Sequence, residues 1–223
     1  MAYDSTVDFT ALETLTAAKL DQLQENIETH VHGVSTGVTH VNDGNLLINP
    51  NWQIDQINEG ALYTADASEQ GPDGWTAALV GAGVFKIRTL ADPDNAALKC
   101  LEITCTTADA SIGASDIYKI FTAVEGYDAA ALQFGVSGSR SVTLQFKFKT
   151  NVLGNYAFSL SNSAGNRTQP RTIAVNQSTE QECSLTWDVD TSGTWLYTNG
   201  VGLYLTMVLA AGTDFNGALN TWS

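Results

Sequence analysis

His30 and His32 stand two residues apart in Thr29-His30-Val31-His32-Gly33. On an extended chain both side chains point to one face. Imidazole nitrogen is a ligand for iron, zinc or nickel, so the pair is the chain's candidate metal site. A plainer reading is also open: histidines just past a helix end complement its dipole. His40 reads as a linker residue. Asp188, Asp190 and Thr191, and separately Asp92, Asp94 and Asn95, bring oxygen ligands together at the short spacing that calcium needs. Neither group has the full spacing of a calcium loop, and solvated turns explain them more simply.

Five tryptophans bear on sugar recognition, because the C–H face of a sugar ring stacks on a flat aromatic. Trp187 alternates with polar residues and reads as core. Trp75 follows Gly71-Pro72-Asp73-Gly74, and Trp195 follows Thr191-Ser192-Gly193-Thr194. Those two sit at loop edges and are the candidate glycan-binding residues. The competing reading is that they close the end of a sandwich. Cys100 and Cys105 are five apart in one expected strand, hence on opposite faces. With Cys183 they read as buried, reduced thiols. There is no phosphate loop and no His-Glu-x-x-His sequence. A glycan depolymerase would need two carboxylates roughly 5 to 10 Å apart. Nothing in the sequence singles out such a pair, so no catalytic residue is assigned and the chain reads as a non-enzyme.

Positioning these residues falls to a short helix and a long series of strands. Thr16 is a plausible N-cap, with Leu15 and Leu20 as a hydrophobic staple, for a helix over about residues 17–28. Leu20, Leu23 and Ile27 follow coiled-coil spacing for less than two heptads. A helix that short is marginal alone and needs a partner, either the chain's own head or copies of itself; in the second case those three residues are the expected trimer interface. Asn42-Asp43-Gly44-Asn45 is a turn signal. The expected division is therefore 1–45, an attachment and trimerisation segment, and 46–223, a β head.

In the head, Val142, Leu144, Phe146 and Phe148 alternate with Thr143, Gln145, Lys147 and Lys149, as in a half-buried antiparallel strand. Tyr156 to Leu160 forms another, joined to it by a hairpin loop over 151–155. Further strands are expected over 84–90, 101–105, 116–122, 171–175 and 183–187. The nearly continuous apolar run 201–210 reads as a central strand. The fold class is all-β, a jelly-roll sandwich on a helical stalk. Little chain follows residue 210. The central strand is therefore expected to show an open edge, to be covered by a missing carboxy-terminal segment or by a partner chain.

Composition narrows the function. The net charge of −14 repels nucleic acid and the anionic face of a membrane. A neutral partner such as a glycan or a protein fits better. No apolar run is long enough to span a bilayer, and the first residues lack a signal-peptide pattern. Synthesis in a cytoplasm is expected, with exit by a route such as lysis.

Several blocks carry a family resemblance: Leu47 to Gly60, Phe158 to Arg167, Asp190 to Trp195, Gly202 to Phe215, and Asn220-Thr221-Trp222. In this order they are similar to bacteriophage tail-fibre and head-fibre proteins. Leu15 to Leu20 followed by His-x-His-Gly resembles phage stalk regions. The resemblance implies a virion protein, a homotrimer, a head like carbohydrate-binding jelly rolls, and contact with host surface polysaccharide. It also implies that His30 and His32 of three chains would surround an axial transition-metal ion. It carries no catalytic signature. Two alternatives stand beside it: a connector or decoration protein that touches only other virion proteins, and a depolymerase.

Overall fold

The computed structural model describes residues 45–65, 69–93 and 95–223. The expected helix, the trimer seam Leu20, Leu23 and Ile27, the histidines His30, His32 and His40, and Asp94 lie outside the described residues. Residues Asn45–Ser223 form one compact unit.

The unit is all-β. Its strands are β1 (Tyr63–Thr64), β2 (Glu69–Gln70), β3 (Trp75–Val80), β4 (Val84–Ala91), β5 (Lys99–Thr107), β6 (Ile117–Glu125), β7 (Val142–Phe148), β8 (Gly154–Asn162), β9 (Thr168–Val175), β10 (Gln181–Trp187) and β11 (Val201–Ala211). One turn of helix, α1 (Gly126–Ala129), follows β6. All sheets are antiparallel. The largest has the order β2-β3-β6-β11-β8-β9, and two smaller ones have the orders β1-β4-β5 and β10-β7. All three feed one core, with Ile87 from β4, Ile120 and Val124 from β6, Phe158 from β8, Trp187 from β10 and Leu205 from β11. Ring contacts tie β7 to β8 across the layers. Phe146 lies 4.8 Å from Phe158, and Phe148 lies 4.9 Å from Tyr156.

Alternation is what makes these segments strands. In β6, Tyr118, Ile120, Thr122 and Val124 are buried, while Ile117, Lys119, Phe121 and Ala123 face outward. The same two-residue period runs through β4, β7 and β10. The sequence-based strands over 84–90, 101–105, 116–122, 142–148, 156–160, 171–175, 183–187 and 201–210 all fall on observed ones.

Three expectations are corrected. Residues 149–153 do not close a hairpin: β7 pairs with β10, and β8 pairs with β9 and β11. The loop instead carries the chain from one layer to the other. β11 is central, as its apolar run implies, but its stretch from Leu203 to Val208 leaves no open edge. Leu203 to Val208 pair with β6 on one side and with β8 on the other. Earlier strands fold back to flank it, which no reading of its downstream sequence could reveal. The third correction concerns Cys105, which is exposed, whereas Cys183 is buried and Cys100 half-buried. All three are free thiols.

Glycine sits where β11 must come close to its neighbours. A Cβ on Gly202 would stand 2.7 Å from the Gly126 Cα. The residue falls at a register shift between Val201 and Leu203, so a bulge and a close approach share one position. At the outer edge of the large sheet, Thr168 of β9 exchanges two backbone hydrogen bonds with Ser223, each 3.0 Å, and Asn220 donates to the Pro170 carbonyl. Residues 220–223 thereby cover an otherwise open strand edge.

Candidate functional site

The outer face of the large sheet is the most distinctive open surface among the described residues. Register sets three rows across it. Thr76, Phe121, Thr206, Ser159 and Pro170 form the middle row. Ala78, Lys119, Val208, Ala157 and Thr172 lie on one side of it, and Ala123, Tyr204, Ser161 and Thr168 on the other. Paired residues in an antiparallel sheet project from the same face. Most side chains here are small, so Phe121, Tyr204 and Lys119 stand above a low floor. Phe121 meets Tyr204 edge to face at 5.8 Å, and the Lys119 ammonium lies 5.1 Å from the Phe121 ring centre. The hydroxyls of Thr76, Thr206, Ser159 and Ser161 make no hydrogen bond within the described residues.

A half-open hollow of about 300 Å³ adjoins this face, lined by Ile57, Pro72, Asp73, Trp75, Phe121 and Ala123 among others. The Leu47–Gly60 block builds its rim. Asp55, 7% exposed, accepts bonds from the Asn58 and Gly60 N–H groups and the Thr89 hydroxyl. That holds the turn carrying Ile57. Asn49 bridges Ile54 and Asp73 through its side chain and accepts the Trp75 indole N–H on its carbonyl at 3.2 Å.

Neither predicted stacking residue offers an open ring. Trp75 is 8% exposed and Trp195 is 7% exposed. Both end up as the end-closing aromatics of the competing reading. Each follows a turn, as the sequence shows, but the turn folds the ring inward. Trp195 packs on Phe134 at 4.8 Å and on Trp222 at 5.6 Å. Its indole N–H donates to Asp190 at 3.2 Å. Trp187 is 1% exposed and donates to the Gln169 carbonyl.

The acidic candidates serve the fold. Asp190, 2% exposed, receives two bonds from the Arg167 guanidinium, at 3.0 and 2.7 Å, and one from the Ser192 N–H. The guanidinium pKa is raised, first by that hydrogen bonding and then by the charge of Asp190, against the cost of burial. Asp188 pairs with Arg171 at 2.5 Å. Asp92 accepts from the Asn95 N–H in the turn between β4 and β5, and Thr191 is exposed beside Asp190. Among the described residues no cluster of three or more His, Cys, Asp or Glu is placed to hold an ion.

Three of the resemblance blocks, Phe158–Arg167, Asp190–Trp195 and Asn220–Trp222, meet in space at this end of the sheet. Asn162 is wholly buried. It accepts the Asn166 and Arg167 N–H groups and donates to the Thr194 carbonyl. Trp222 of the last block packs on Trp195 and donates to the Asp188 carbonyl. These three blocks are distant in sequence but closed together by hydrogen bonds and ring contacts. Sequence reasoning missed Phe121, Lys119 and Tyr204. The alternation of β6 was visible and marks its outward residues, but only the register of β6 against β11 brings Tyr204 beside Phe121.

No protein-family model and no curated protein matches this chain.

Proposed function

We propose that this chain is a structural virion fibre protein of a bacteriophage. Its amino-terminal segment docks on the particle and trimerises through Leu20, Leu23 and Ile27, with His30 and His32 as candidate ligands of an axial metal. It is made in the host cytoplasm and works on the virion. The β unit, read as a jelly-roll sandwich from its three antiparallel sheets around one core, contacts host surface glycan. It does so without catalysis.

One observation carries the glycan reading. The outer sheet face joins a half-buried aromatic pair, Phe121 and Tyr204, to four hydroxyls that make no hydrogen bond among the described residues. Sugars present the complementary surface, apolar C–H patches rimmed by hydroxyls. The test is binding of the intact protein to purified bacterial surface polysaccharides, with Phe121→Ala and Tyr204→Ala as variants. Binding by the parent and loss in both variants supports the reading. Equal binding by all three refutes it.

The connector reading has its own support in Ile48, Ile54 and Ile57, which are 52–60% exposed around the hollow and suit a protein contact. It would show as virion assembly without any saccharide binding. Release of reducing ends from a bound polymer would instead establish a depolymerase.

A further inference from the structure

We infer that the sheet face selects an acidic saccharide, a polymer bearing uronic-acid carboxylates, and that Lys119 is the residue that reads the charge. The inference rests on the proposed glycan-binding face and narrows its ligand class.

Lys119 is unusual in this chain. The protein carries 24 acidic residues against 10 basic ones, so a cation would ordinarily find a carboxylate close by. Arg88 pairs with Glu102, Lys147 with Glu180, Arg167 with Asp190 and Arg171 with Asp188. Lys119, like Lys86, Lys99 and Lys149, has no ion-pair partner among the described residues; what sets it apart is that it is half-buried beside an aromatic ring. Its flanking positions on the face are Ala78 and Val208 across the ladder, with Ile117 and Phe121 along its own strand. None of these is acidic. The ammonium is half-buried and its pKa is lowered by desolvation alone, with no nearby anion to restore it. Among the described residues, the Phe121 ring is the partner of the ammonium.

A cation held half-dry over an aromatic, with no countercharge among the described residues, is incomplete until an anion arrives. The geometry defines what that anion is attached to. A sugar ring stacked at Phe121 and Tyr204 puts its substituents within reach of Lys119 on one side and of the Thr206, Ser159 and Ser161 hydroxyls on the other. A carboxylate on the ring would meet the ammonium while the ring hydroxyls meet the serines and threonine. A charge-assisted bond in a partly desolvated site is about twice as strong as a neutral one. In a chain this acidic it also decides selectivity, because every other approach of a polyanion is repelled.

The experiment measures affinity of the intact protein for a panel of uronic-acid polymers (polygalacturonate, alginate and hyaluronate), for the same polymers after chemical reduction of their carboxyl groups, and for a sulfated dextran. The inference expects at least one polyuronate to bind, with a loss of about tenfold or more on carboxyl reduction and the same loss in Lys119→Met. It expects Lys119→Arg to retain most of the affinity. Phe121→Ala should abolish binding to both forms of the polymer. Equal affinity for reduced and unreduced polymer, an unaltered Lys119→Met, or equally tight binding of the sulfated dextran would each overturn it. If neutral glycans bind, and lose their affinity in Phe121→Ala but not in Lys119→Met, the acidic-ligand inference fails while the glycan-binding face stands. If no saccharide binds at all, both fail together.

Discussion

Arg167 and Asp190 show how a residue that looks functional can be structural. An acidic residue in a loop of Asp, Thr, Ser and Gly suggests a cation site, yet the cation present is a guanidinium from 23 positions upstream. That spacing has no sequence signature, which is why the pairing was not legible. Removing one partner of a buried pair strands the other charge. Arg167→Ala is therefore expected to destabilise the fold by about 3–5 kcal/mol in urea denaturation. Arg171→Ala breaks a pair whose Asp188 side chain is 65% exposed, and should cost about 1 kcal/mol or less. Similar losses in both would show that the burial of Asp190 does not matter. A second residue-scale prediction concerns Tyr118, whose hydroxyl donates to Asp109 at 2.6 Å and accepts the Gly83 N–H at 2.8 Å. The hydrogen bond from Tyr118, followed by one from the Ser111 N–H, holds the Asp109 pKa below its usual value. Burial, followed by the bond to Asp109, raises that of Tyr118. A depressed carboxylate adds stability above its ordinary pKa and loses it as pH falls through the lower folded value. A raised phenol adds stability below its ordinary pKa and loses it as pH rises through the higher folded value. Tyr118→Phe removes both and strands the Gly83 N–H, an orphan worth about 1–3 kcal/mol. The stability gap between parent and variant should be widest between roughly pH 5 and 9 and narrow at both ends. A gap independent of pH would contradict the linkage.

Among the elements, strands with strict alternation or a long apolar run were legible, and β3, which has neither, was not. β7 reads Val142, Leu144, Phe146, Phe148 against polar neighbours and is found where its pattern places it. β3 is Trp75-Thr76-Ala77-Ala78-Leu79-Val80, with consecutive alanines both buried, and it gives neither alternation nor strong β propensity. It forms because β6 supplies a ladder for it, a long-range cause that is invisible in the segment itself. The order of strands was likewise hidden, since β7 and β8 are neighbours in sequence but lie in different sheets. Glycines at element ends separate steric from conformational demand. A Cβ on Gly212, just after β11, would meet the Gly113 carbonyl oxygen at 1.9 Å and that of Ala114 at 2.4 Å. Gly165 has φ +68° and nothing within 4 Å of a Cβ. Gly212→Ala should cost about 3 kcal/mol, because the obstacle is backbone. Gly165→Ala should cost about 1 kcal/mol, the strain of a left-handed residue. Thermal unfolding of the two variants side by side checks the ranking, and a larger loss at Gly165 would refute it.

At the scale of the whole molecule the account joins a trimerising segment to a glycan-binding β unit. The proposed seam of the first is Leu20, Leu23 and Ile27, and burial of such side chains is worth about 1.5–3 kcal/mol each. Light scattering on the intact chain should therefore give three times 23.8 kDa. Leu23→Asp should reduce it to a single copy while the β unit stays folded, because a carboxylate is not tolerated in a buried seam. A trimer that survives Leu23→Asp would mean the seam lies elsewhere. The second half of the account depends on where a saccharide sits, and hydroxyl-radical footprinting reads that directly. The intact protein would be oxidised with and without the bacterial surface polysaccharide it binds most tightly. Tyr127 on α1, 64% exposed and outside the three rows of the face, serves as the internal reference. The account predicts protection of Phe121 and Tyr204 with Tyr127 unchanged. Unaltered oxidation of Phe121 and Tyr204 by a bound polysaccharide would contradict it.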